Sequence, residues 1–319
     1  MKYRTLGRTG LSVSEVGFGA WAIGGASYGP TRDEDSLQAL QAAWDHGVNF
    51  FDTADTYGHG HSEELIAKFL KGRRDKAVIA SKVGWDFYHG GSKKNFDFDY
   101  IRFACAESLK RLQTDYIDLY QLHNPTLEAI ETGDLFEVLD ELKEAGKIRF
   151  YGVSVHVPRE ALAGIHSGRA DTVQLIFNLI DQRPVAEVFP EAQAHNIGII
   201  AREPLACGLL TGKYTRESVF PKDDHRNRWD RERMAHDLKK FERFKSVLQA
   251  PRLSPVQLAL EFVLSFESVS TVIPGAKTKE QVLENVGASE DPKLRIEEIS
   301  ILRQMYDNEP LFQAGFHRS

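Results

Sequence analysis

The chain repeats one pattern along its length: a short apolar run, a polar loop, then a stretch with apolar residues at three- and four-residue spacings. The apolar runs predict strands at Val16–Gly19, Asn49–Asp52, Ala77–Lys82, Tyr116–His123, Ile148–Ser154, Thr172–Ile176, Gly198–Ala201 and Val269–Ile273. Between and after them the spacing predicts helices over Asp33–His46, Ser62–Leu70, Asp99–Leu112, Leu135–Ala145, Arg159–His166, Val185–His195 and Lys279–Val286. Ser-Glu-Glu at 62–64 starts one of these helices and Gly146 stops another. Short apolar strands alternating with helices suit a parallel sheet covered on both faces. The expected fold is therefore a (β/α)8 TIM barrel, with a doubly wound open sheet as the alternative. Tyr3–Leu6 and Val13–Phe18, separated by Gly7, Thr9 and Gly10, predict an N-terminal β-hairpin cap. Extra helices are expected between strands seven and eight, at Met234–Gln249 and Pro255–Phe266, and near Arg295–Tyr306 at the C-terminus. Lys213–Arg233 reads as a mobile loop.

Composition narrows the class without changing that outline. A length of 319 residues suits one such barrel, so residues 1–319 are expected to form a single domain. Net charge is −6, and no run of five or six Lys/Arg predicts a nucleic-acid partner. Neither an 18-residue apolar run nor the apolar core of a signal peptide is present, so no membrane partner is expected. The two cysteines, Cys105 and Cys207, have no His neighbour in sequence and fit a reducing compartment. A cytoplasmic monomer or small homo-oligomer is the simplest reading.

The strand ends carry the candidate chemistry. Asp52, Lys82 and His123 close the second, third and fourth predicted strands, and Tyr57 follows in the loop after the second. In barrels of this type the C-terminal face bears the reactive groups. Neighbouring parallel strands lie about 4.8 Å apart, so these side chains can meet. A phenol titrates near pH 10, and an adjacent ammonium lowers that value. Asp52 would hold Lys82 charged, while His123 would orient a carbonyl oxygen by hydrogen bonding or relay a proton. Such a set protonates the oxyanion formed when a carbonyl is reduced, but it needs a separate hydride source. His59 and His61 form H-x-H without a convincingly spaced third ligand, so no metal is expected. Trp85 and the aromatics after it would wall the substrate pocket.

The chain resembles the aldo-keto reductase superfamily over nearly its whole length. The resemblance rests on L-G-R-T-G-L-S-V-S-E-V-G-F-G-A-W (6–21), F-F-D-T-A-D-T-Y-G (50–58), A-S-K (80–82), Q-L-H (121–123), G-V-S (152–154), P-L-A-C-G-L-L-T-G-K (204–213) and I-P-G-A-K-T-K-E-Q-V-L-E-N (273–285). It implies NADPH bound in an extended pose and a small carbonyl substrate. Tyr57 would be the acid, Lys82 and Asp52 would tune it, and His123 would guide the substrate. By the same resemblance Ala20 and Trp21 line the nicotinamide and substrate side, and Ser154 and Gln174 hold the carboxamide. The loop containing Pro204, Leu205, Ala206 and Gly208 would fold over the pyrophosphate. Gly275, Lys277, Gln281 and Asn285 match the segment around the adenosine 2′-phosphate, at a helix start suited to anions.

Several positions depart from the pattern. Val155 stands where many relatives have Asn, and Arg202 where many stack a Tyr on the nicotinamide. A guanidinium can also lie flat on a ring. Gly275–Ala276 replaces a Lys-Ser pair and Gln281 an Arg, leaving Lys277 as the nearby cation and NADH use possible. Two rival functions remain: a Schiff-base barrel lyase using Lys82, and a cofactor-binding regulatory subunit with little turnover, like those of potassium channels.

Overall fold

The computed structural model describes residues 1–25, 27–247, 253–290 and 294–313. Eight parallel strands lie in sequence order: Phe18–Gly19, Phe50–Asp52, Val78–Val83, Ile117–His123, Ile148–Ser154, Thr172–Ile176, Gly198–Arg202 and Val269–Val272. Parallel bridges Val16↔Val272 and Gly19↔Gly275 join the first strand to the eighth, so the sheet curls into the expected barrel. Helices follow the strands and cover their outer faces.

The period of two along each strand divides the core. Phe50, Val78, Ala80, Leu119, Ile200 and Ile273 fill the interior, while Phe51, Ile79, Tyr120 and Val173 face the helices. Leu6 and Val13 of the hairpin complete the interior cluster. That hairpin pairs Tyr3–Thr5 with Ser12–Ser14, shorter than the expected Val13–Phe18 arm. The chain leaves it at Glu15 because the Glu15 carbonyl already accepts the Val272 N–H of the barrel wall. Gly7 is required here: φ is +49°, and a Cβ would lie 2.1 Å from the Gly198 nitrogen.

Several short elements were absent from the sequence reading. Trp85–Asp86 pairs with Lys93–Lys94 inside the aromatic loop, and Leu127–Thr132 forms a helix capped by the Thr126 side chain. The loop at 213–233 carries a 3-10 turn at His225–Arg228, and the helix after it begins at Arg231, before the expected Met234. Its described part ends at Val247; Leu248 and Gln249, expected to continue it, lie outside the described residues. The C-terminal helix runs Ile296–Asn308, and Phe312 beyond it packs at a tilt against Phe244, 4.5 Å between ring centroids. No helix among the described residues is long and apolar enough to cross a membrane.

Candidate active site

Above the apolar interior, the same strand faces turn polar. Asp52 lies two residues beyond Phe50, Lys82 two beyond Ala80, and Gln121 two beyond Leu119; Gln174 completes the layer. All four are at most 2% exposed. Lys82 Nζ donates to Asp52 Oδ1 at 2.5 Å, to the Thr53 carbonyl at 2.7 Å and to the Tyr57 hydroxyl at 3.3 Å. Gln174 Nε2 donates to Asp52 Oδ2 at 2.7 Å, and Gln121 Nε2 to the same oxygen at 3.3 Å. The Asp52 carboxylate thus serves one ammonium and two amides, which compensates its removal from water.

Tyr57 is fixed by its backbone. The Ser62 N–H donates to its carbonyl, and Gly58 takes φ +63°, where a Cβ would lie 2.1 Å from the Gly24 oxygen. The Tyr57 ring packs edge-to-face with His123 at 6.0 Å and stacks with Trp21 at 6.1 Å. Burial pushes the Tyr57 phenol above its ordinary value, outweighing the downward pull of Lys82. The expected net lowering of this phenol is therefore reversed, because the site is dry as well as charged. Burial opposes the charge on Lys82, but Asp52 and Tyr57 together win and raise its pKa. His123 is held well below its ordinary value by burial, then by Lys82 and Arg202, so its ring is neutral.

A groove of about 790 Å³ opens beside this layer and runs to the start of the helix Lys279–Val286. Trp21, Tyr57, Trp85 and His123 border one end; Gly275, Lys277, Gln281 and Asn285 border the other. Gln174, Arg202, Pro204, Leu205 and Gly208 lie between. Ala20, Ser154 and Ala206 are buried behind that wall: the Ala20 N–H donates to the Asp52 carbonyl, and Ser154 Oγ to Gln174 Oε1 at 3.2 Å. Arg202 donates to the Val155 carbonyl at 3.0 Å and to His156 Nδ1 at 2.9 Å. Lys277 Nζ reaches across the groove mouth to the carbonyls of Tyr28 and Gly29, and burial lowers its pKa. The exposed Lys213 and Arg228 border the same groove.

The long loop after strand seven crosses to the first barrel loop. The His225 N–H donates to the Ser27 carbonyl, and its ring packs on Trp21 at 4.8 Å. Arg226 is pinned by Asp224 at 2.6 Å and by the Tyr214 hydroxyl at 2.9 Å. Sequence reasoning did not single out Tyr214, His225 or Arg226 in this roof, and it missed Gln121 as a partner of Asp52. The two-residue spacing of Leu119, Gln121 and His123 held that second signal. The two histidines of the H-x-H pair go separate ways: His61 bonds Asp33 at 2.9 Å, and His59 stacks on Phe87. Among the described residues, no three His, Cys, Asp or Glu side chains gather as a metal site.

The aldo/keto reductase family model matches residues 15–307. An uncharacterised oxidoreductase of Bacillus subtilis, YqkF, is 35% identical, with the alignment covering 100% of each chain. The holo structure of the aldo-keto reductase AKR11C1 from Bacillus halodurans superposes with a TM-score of 0.81 at 33% identity, over 96% of each chain. A Klebsiella pneumoniae aldo/keto reductase solved with NADP and acetate matches with a TM-score of 0.73 at 26% identity, again over 96% of each. With a barrel of the same order and a match over nearly its whole length, this chain belongs to the aldo/keto reductase family.

Proposed function

We propose that the chain is a single-domain, NADPH-dependent carbonyl reductase in which Tyr57 protonates the oxygen of an aldehyde or ketone. The observation that carries this reading is the buried Asp52–Lys82–Tyr57 chain, with contacts of 2.5 and 3.3 Å, opening on His123 at the groove. The groove suits an extended dinucleotide: it joins the Tyr57 end to the 275–285 segment, with Lys213 and Arg228 along it. Ser154 and Gln174 would hold a carboxamide, Arg202 would face the ring, and Gly275, Gln281 and Asn285 would receive the adenosine end. The NADP complex of the Klebsiella relative supports the same cofactor class. When bound, a reduced nicotinamide supplies the hydride that no side chain can.

The remaining work falls to residues of the chain. A raised Tyr57 pKa keeps the phenol protonated at neutral pH, the form reduction needs. Its proton passes to the developing alkoxide, and the Lys82 ammonium stabilises the phenolate left behind. Asp52 keeps that ammonium charged and in place. Neutral His123 donates a hydrogen bond to the carbonyl oxygen without titrating near neutrality. A Schiff-base lyase needs a neutral amine at Lys82; the Asp52 contact disfavours one. Two buried cysteines that form no disulfide fit a reducing, cytoplasmic setting.

Tyr57→Phe tests the assignment. Reduction should fall by about 10² to 10⁴, the usual worth of a positioned acid, while fluorescence titration gives cofactor affinity close to the parent protein. An active Tyr57→Phe protein would end the assignment. Titrating NADPH and NADH side by side tests the cofactor. Comparable binding of both would mean that Gly275, Ala276 and Gln281 relax the 2′-phosphate site. Tight binding with negligible turnover of any carbonyl would favour the regulatory-subunit reading.

A further inference from the structure

Arg202 ends the seventh barrel strand, where its backbone is in register with Ile176 of the sixth. From there its side chain crosses to the end of the fifth strand, donating to the Val155 carbonyl at 3.0 Å and to His156 Nδ1 at 2.9 Å. The guanidinium thus spans the end of strand six, and it borders the groove together with Tyr57, His123 and Gln174. Its counter-ion sits on one side only: Glu203 Oε1 accepts from the other terminal nitrogen at 3.1 Å. Burial and then Lys82 dominate the pKa values of Tyr57 and His123, and Arg202 adds a downward push to both. Burial and then Cys207 dominate that of Tyr28, where Glu203 adds an upward push. The ion pair is therefore polarised along the groove, with its cation towards Tyr57 and His123 and its anion towards Tyr28. Lys82, the other cation at that end, is neutralised by Asp52 at 2.5 Å.

Giving up a hydride takes two electrons from a nicotinamide and leaves its ring positively charged; the reduced ring is neutral. A guanidinium is charged at every working pH, so one fixed beside the ring repels the oxidised form and not the reduced one. We propose that Arg202 makes the groove hold reduced cofactor more tightly than oxidised cofactor, and so speeds discharge of the spent form after each reduction. This deepens the reductase reading above, in which Arg202 faces the ring, and rests on it. An uncharged side chain at the same position gives no such discrimination. The charge also acts on the bound reactants, because it disfavours the complex that holds oxidised cofactor and alcohol. Faster product release and an equilibrium on the protein drawn back towards the carbonyl come from the same residue.

Quenching of tryptophan fluorescence, with Trp21 and Trp85 at the groove, gives dissociation constants for NADP+ and NADPH. NAD+ and NADH replace them if that pair binds more tightly. The parent protein should bind the reduced form more tightly. Arg202→Gln should tighten the oxidised form and lower the oxidised-to-reduced ratio of dissociation constants by about tenfold, since Glu203 offsets part of a larger effect at contact distance. Affinity for the reduced form should stay within a few-fold of the parent's, which also reports folding. Arg202→Lys keeps the charge and should keep most of the ratio. Glu203→Gln removes the offset and should move the ratio the other way, above the parent's. Tighter binding of the oxidised form by the parent, an unchanged ratio in Arg202→Gln, or an Arg202→Lys protein that behaves like it overturns the proposal. If Arg202→Gln binds neither form, Glu203→Gln decides, and a ratio at or below the parent's overturns the proposal. A parent protein that binds neither form of either dinucleotide would instead bring down the reductase reading, and this one with it.

Discussion

Asp52 and Asp55 are three residues apart in D-T-A-D, and both are at most 2% exposed, yet the barrel treats them oppositely. Asp52 points into the barrel and is met by Lys82, Gln174 and Gln121. Asp55 points away from that layer and receives no side-chain hydrogen bond. Its surroundings are Glu63 and Arg111 from two helices, Lys82 from the third barrel strand, Tyr120 from the fourth, and the Thr56 backbone. Glu63 and Arg111 are already paired at 2.7 Å, with Ser81 on the other Glu63 oxygen at 2.5 Å. Burial, then the neighbouring Glu63, raises the Asp55 pKa well above the carboxylate range. Burial alone therefore does not decide whether a carboxyl carries charge; the partners brought by other strands do.

The largest effect expected from this contrast follows loss of the Asp52 charge. Asp52→Asn leaves the Lys82 ammonium buried without its counter-ion. Reduction should fall by about 10² to 10⁴, and the fold should lose about 3 to 5 kcal/mol, the usual result of breaking a buried pair from one side. Steady-state kinetics and urea unfolding measure the two. A variant with parental activity and stability would erase the distinction between these carboxyls.

His123 extends the same lesson to a base. Its Nδ1 has no partner, its neighbours include Lys82 and Arg202, and its pKa is depressed. A depressed folded value means that its contribution to stability is present above the unfolded pKa, about 6.5, and is lost as pH falls towards the folded one. His123→Gln cannot titrate, so its unfolding temperature should decline less steeply from about pH 7 to about pH 5 than the parent's. Parallel curves would show that His123 gains a proton as easily folded as unfolded.

How much of this was legible in the sequence varies by residue. Asp52, Lys82 and His123 could be placed because each ends an apolar run, where a polar side chain has few roles. Lys93–Lys94 could not be read as a strand, because two exposed lysines carry no apolar alternation. The Leu127–Thr132 helix is too short for its spacing to be distinctive. The unlike fates of Asp52 and Asp55 were also hidden. Each is followed by Thr, and the residues that separate their fates lie 8 to 122 positions away, from Glu63 to Gln174. Trp85 was already expected to wall the pocket, whereas Asn124 could be assigned to the groove only once the loops around it had positions.

The smallest effect on catalysis, and the sharpest test of the contrast, belongs to Asp55→Asn. A raised folded pKa means that Asp55 contributes its stability below the unfolded value, about 3.9, and that this contribution is lost as pH rises towards the folded value. Asparagine keeps the shape and removes the titration. The variant should therefore match the parent near pH 4 and become the more stable of the two as pH rises through neutrality, with activity close to parental. Unfolding temperatures of both proteins across that range give the answer. A variant less stable at neutral pH would mean that the Asp55 carboxylate is charged and welcome in the fold. Its closeness to Arg111 and Lys82 would then outweigh Glu63, and the two aspartates would differ in geometry alone.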